Sequence, residues 1–99
     1  MKRYVLTATA KKDINEIWDY SAADNIEAAD GVLDALESAM NKLAKAPGLG
    51  HWREELADKR HRFHLVYSYL IIYRHEAKPI QIVRVLHAAR DVRSIFLSE

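Results

Sequence analysis

His87, Arg90 and Asp91 form the densest group of side chains in this chain able to move a proton or grip an anion. A histidine close to arginines is the equipment for general acid–base catalysis with a phosphate clamp, the chemistry of RNA cleavage. Arg74 and Arg84 extend the cationic set upstream. The same residues have a plainer reading, in which Arg90 and Asp91 pair or cap a last helix and His87 bonds to the backbone. The plainer reading is favoured, because the segment holds neither a second base nor a tyrosine.

Other chemistry finds less material. His61 and His64 are three apart in a strand-like segment and so face opposite sides. His51 and His75 stand alone, and no metal site is expected. Three glycines do not build a phosphate loop. Ser68, Ser94 and Ser98 lack the strand–turn–helix setting of a nucleophile. No cofactor is expected. Trp52 sits in the charged run HWREEL just after Gly50, as either an exposed contact or a lid over the sheet. Trp18 and Tyr20 are read as core and rim aromatics of a helical pair.

The elements that must position these residues follow from periodicity. Lys2–Thr7 alternates as a first strand. Thr7 or Thr9 caps a helix whose apolar face is Ala10, Ile14, Ile17 and Trp18, ending near Ala22–Asn25. Asp24-Asn25 supplies a turn and the next cap. Ile26, Ala29, Leu33, Leu36, Met40 and Leu43 then follow 3,4,3,4,3 spacing, widened by Val32 and Ala39. Gly31 inside this second helix costs about 1 kcal/mol against alanine. Pro47 and Gly48 stop it. The short joint makes the two helices an antiparallel hairpin.

Leu49–Arg60 reads as a charged connection. Strands are expected at Arg62–Val66, Tyr69–His75 and Ile80–His87, with turns at Tyr67-Ser68 and Glu76–Pro79. Links this short join antiparallel neighbours. A short helix starts after Arg90 and runs through Val92, Ile95, Phe96 and Leu97. The fold class is α+β: strand, helical hairpin, then a three-stranded antiparallel meander and a short C-terminal helix.

Strict alternation puts Ile80, Ile82, Arg84 and Leu86 on one side of the last strand and Gln81, Val83, Val85 and His87 on the other. Tyr69, Ile71 and Tyr73 likewise oppose Leu70, Ile72 and Arg74. Both faces of the sheet are therefore apolar, whereas a sheet with one face in water alternates cleanly. The helical hairpin covers one face. A partner polypeptide is expected on the other, with the terminal helix as the alternative cover.

The chain has 99 residues, 49% of them apolar or aromatic, and no cysteine. One domain spanning 1–99 is expected, without disulfides or cysteine–zinc sites. No signal peptide or membrane span is read, and the cytoplasm is the expected location. Net charge is +1 but uneven. Lys59–Arg93 holds eight basic side chains against two acidic ones, a surface suited to an acidic partner or nucleic acid.

Four segments in this order, DINEIWDYSA, PGLGHWREEL, SYLIIYR and IVRVLHAARD, resemble the ParE toxins of the RelE/ParE superfamily, over about Leu6–Arg93. The resemblance implies the toxin of a type II toxin–antitoxin system, held in a hetero-oligomeric complex by a ParD-like antitoxin whose C-terminal segment wraps it. It implies DNA gyrase as a bound target, with no chemistry by the toxin itself, no membrane and no direct sequence-specific DNA binding by this chain. Trp52, Arg62, Tyr73, Arg74, Arg84, His87 and Arg90 are the residues assigned to target or antitoxin contact. The related RelE-like branch cuts messenger RNA on the ribosome. For that alternative the catalytic set would be His87, Arg74, Arg84 and Arg90, but Ala88 and Ala89 follow the histidine and no tyrosine occurs after Tyr73. A non-toxic interaction module is the third reading.

Overall fold

The computed structural model describes residues 4–52 and 60–97, the last two without their side chains. Strand β1 (Tyr4–Leu6) leads into helices α1 (Ala8–Ala22) and α2 (Ile26–Lys45). A 3-10 turn at Pro47–Leu49 follows, then β2 (His61–Val66), β3 (Tyr69–Arg74), β4 (Ile80–His87) and α3 (Val92–Leu97). The expected α+β order is the one found. Lys2 and Arg3, the middle of the Leu49–Arg60 connection, and the side chains of Phe96 and Leu97 lie outside the described residues.

Local chemistry sets the boundaries. The Thr7 hydroxyl accepts from the Ala10 amide at 3.1 Å and starts α1. The Asn25 side chain does the same for Ala28 at 3.1 Å and starts α2, each satisfying an amide that has no partner within the helix. Pro47 cannot continue α2. Of the α2 stripe, Ala29, Leu36, Ala39, Met40 and Leu43 are buried, while Ile26 at the hairpin tip is exposed.

The sheet order is β1-β4-β3-β2. The last three strands form the antiparallel meander, and β1 joins β4 in parallel, Tyr4 opposite Ile80 and Leu6 opposite Ile82. One face packs Tyr4, Ile71, Tyr73, Ile80, Ile82 and Val85 against Leu36, Met40 and Leu43 of α2 and Ala10 of α1.

Two expectations are corrected. The alternation read along β4 breaks at Val83. Ile72 pairs with Arg84 but Tyr73 pairs with Ile82, leaving Val83 unmatched. This bulge reverses which side the following residues face. Ile82 and Val85 therefore share the helix-side core, and Leu86 lies in the other one. The second correction concerns that other face. Phe63, Leu70, Ile72 and Leu86 are buried there with Val92, and Ile95 packs against them. The chain's own α3 covers the centre of the surface on which a partner was expected, leaving Leu65 exposed at its edge, so surplus apolar character in the strands is not by itself a sign of a second polypeptide.

Among the described residues, no helix is long and apolar enough to cross a membrane.

Candidate functional site

The sheet carries polar residues of interest at both ends, separated by the length of β3. Five residue steps from Tyr69 to Arg74 amount to about 17 Å.

At the first end, Tyr69 pairs with His87. Their rings meet edge to face at 5.5 Å. A cleft of about 440 Å³ opens between them and α1. Its apolar wall is Ile17, Tyr20, Tyr69 and Val85, with Glu16 on one rim and His87 and Arg90 on the other. Tyr20 is 79% exposed, a rim aromatic and not a core one. Trp18 is only half-buried and donates to Asp30 Oδ1 at 3.0 Å, tying the two helices together on their outer side. The His87 ring accepts from the Ala89 amide through Nδ1 at 3.1 Å. Asp91 starts α3 by accepting from the Ser94 amide at 3.2 Å and the Ser94 hydroxyl at 2.8 Å. The Ser94 hydroxyl bond, then the amide bond, hold the Asp91 carboxyl below its usual range. The plainer reading of His87 and Asp91 matches this geometry.

Beneath the cleft, Arg84 and Asp13 form a buried pair, Nε to Oδ2 at 2.7 Å and Nη2 to Oδ1 at 3.0 Å. Asp13 Oδ2 also accepts from the Val85 amide at 3.1 Å. β1 ends at Leu6, opposite Ile82, so beyond the bulge β4 has no neighbouring strand on that side, and the aspartate supplies an acceptor. Asp13 escaped the sequence reading. The available signal was an acid placed three residues after Ala10 and four before Ile17, inside the apolar stripe of α1.

At the opposite end, Tyr73 is fully buried. Its hydroxyl donates to the Pro47 carbonyl and accepts from the Gly50 amide at 2.8 Å. Burial is the largest influence on this phenol and raises its pKa, against smaller opposite effects of Gly50 and Arg62. A β-carbon at Gly50 would stand 2.4 Å from the Tyr73 hydroxyl oxygen, so glycine is the residue that lets the loop approach this closely. Arg62 fixes the same loop, donating from Nη1 to the Gly50 carbonyl at 2.9 Å and to the Gly48 carbonyl at 3.3 Å. The loop then meets the edge of β2, where His51 and Phe63 exchange two main-chain bonds at 2.8 and 2.9 Å. Trp52 follows, 44% exposed. The Arg62 guanidinium lies 4.2 Å from its ring centroid, and His75 meets the ring edge-on at 5.1 Å.

Of the seven contact residues expected from sequence, Trp52, Arg62 and Tyr73 thus come together at one end, with Arg74 exposed nearby on the last position of β3. Tyr73 supports that surface from below. His87 and Arg90 meet at the other end, and Arg84 is bound into the interior. The four residues of the ribonuclease alternative do not converge. Arg74 and His87 are a strand apart, and Arg84 spends its charge on Asp13.

Comparison with known proteins places this architecture. Residues 4–92 match the family described as ParE toxin of type II toxin–antitoxin system, parDE. The chain is 32% identical over 95 residues to Toxin ParE1 of Caulobacter vibrioides, spanning 95% of this chain and 97% of that protein. Its fold is similar to a chain from the chromosomal ParDE TA system from P. aeruginosa, with a TM-score of 0.72 at 20% identity, covering 88% of this chain and 96% of that one.

Proposed function

The chain belongs to the ParE toxin family of type II toxin–antitoxin systems, and we propose that it inhibits growth by binding DNA gyrase and is neutralised by a ParD-like antitoxin. The match of residues 4–92 to the family carries this reading. The scattering of Arg74, Arg84 and His87 favours action by binding over cleavage of RNA. Two surfaces are available for contact. One is the Tyr20–His87–Arg90 cleft, and the other is the Trp52–Arg62 corner with Arg74 beside it. Arg84 and Tyr73 serve by shaping them.

The test is direct. Purified protein is expected to inhibit supercoiling by gyrase in vitro, and addition of the product of the adjacent antitoxin gene is expected to restore it. Full supercoiling at a large molar excess of folded protein removes gyrase as the target. New message cleavage in arrested cells, lost in His87→Ala, would transfer the activity to the ribonuclease class. Normal growth on induction of folded protein alone would point to a non-toxic module.

A further inference from the structure

Among the described residues, two buried polar atoms of the Trp52 corner have no hydrogen-bond partner, Arg62 Nε and His75 Nδ1. Both belong to side chains in contact with the same indole. Unpaired buried donors are rare in folded proteins because each forfeits its hydration. Here the deficit coincides with preorganisation. Two loop carbonyls and the Trp52 ring hold the Arg62 guanidinium in place, and the carbonyls engage only Nη1. The edge that contains Nε remains for an acceptor. Trp52 is the exposed member of the stack, whereas the Nε edge is buried, so an acceptor reaches it only when a covering side chain shifts.

We propose that Trp52, Arg62 and His75 form a recognition site for a single carboxylate, the side chain of an acidic residue flanked by apolar ones in a partner polypeptide. A planar carboxylate suits the side-on edge of an arginine. The indole face gives the flanking apolar atoms a surface. Charge selects against a polyanion. Arg62 is the cation held against the indole, with Arg74 exposed nearby, and the Glu76 carboxylate stands 3.7 Å from His75 Nε2, its side chain 81% exposed. That negative neighbour tolerates one incoming charge and repels a row of phosphates. The inference rests on the binding function proposed above and names the chemistry that one surface selects.

The chain has two tryptophans, so Trp18→Phe leaves Trp52 as the sole tryptophan, excited selectively on the long-wavelength side of tyrosine absorption. The probes are a capped Leu-Glu-Leu peptide, its Leu-Gln-Leu counterpart and an oligouridylate. The glutamate peptide is expected to change Trp52 emission saturably, with at least tenfold weaker response to the glutamine peptide. Arg62→Lys, which keeps the charge but loses the fork, is expected to weaken the glutamate response at least tenfold, with folding checked by circular dichroism. Equal response to both peptides, or none, overturns the proposal. So does tighter binding of the oligouridylate, which would reassign the corner to nucleic acid. The peptide contrast needs no variant at Arg62 and stands even if Arg62→Lys unfolds. Growth arrest with a silent Trp52 defeats this site alone, whereas absence of both gyrase inhibition and growth arrest defeats the toxin reading and leaves the fluorescence result intact.

Discussion

A single aspartate binds three donors, and its loss should be felt throughout the fold. Asp13 accepts from Arg84 twice and from the Val85 amide once. Asp13→Ala leaves a buried guanidinium without its counter-charge, and the expected loss is about 3–5 kcal/mol in denaturant unfolding. Replacing both partners, Asp13→Leu with Arg84→Met, should recover part of it, because no charge is then stranded. His64 gives the chain a pH response. Burial is the main cause of its lowered pKa, helped by His51 and Lys42. Its folded pKa lies below the unfolded value near 6.5, so below that pH the unfolded chain binds the extra proton first. Stability is complete above pH 6.5 and falls as the solution is acidified towards the folded pKa. Thermal melts from pH 7.5 to 5.5 should show this decline, and His64→Gln should flatten it.

At the level of elements, the helices and the strand bounds announce themselves, whereas the facing of the last strand does not. Thr7 and Asn25 stand where capping chemistry requires them, and α2 follows its apolar spacing closely. Gly31 lies in that helix with open space around the position of a β-carbon, so Gly31→Ala should stabilise the chain by roughly 0.5–1 kcal/mol in chemical denaturation. The bulge at Val83 was not legible. The residues just after it, Arg84 and Val85, bind an aspartate far upstream in the sequence, and alternation within the strand contains no record of that. The cover on the far face was equally undecidable, since apolar residues on both faces look alike whether a partner or the chain's own tail buries them. Val92 anchors the tail at 6% exposure. Val92→Asp should cost at least ~2 kcal/mol by unfolding titration, because a charge would enter the Phe63–Ile72–Leu86 cluster. An unchanged midpoint would mean that α3 contributes little to holding that face.

Across the whole molecule, the two candidate surfaces sit at opposite ends of one rigid sheet. The sequence grouped their residues by type; the topology separates them by position. His75, Tyr20 and Tyr69 were missed as site residues because their roles arise from loops and helices brought alongside them. Tyr20→Ala and Arg90→Glu alter exposed side chains, and each should change folding stability by no more than about 0.5 kcal/mol. Each is expected to reduce either growth arrest or antitoxin neutralisation at least tenfold, measured by induction with and without the antitoxin gene. Wild-type behaviour in both assays would remove the cleft from function.

The extra residue at Val83 gives β4 two independent reading frames. Upstream of it, Ile80 and Ile82 are keyed to β1 and the helices; downstream, Val85 and His87 are keyed to α1 and the cleft. A lineage can therefore remodel the cleft half of the strand by point substitution while the anchoring half stays fixed. A one-codon deletion in the same place would rotate one half out of phase with the other. Relatives that diverge in what they bind should accordingly differ in letters along this strand and agree in its length.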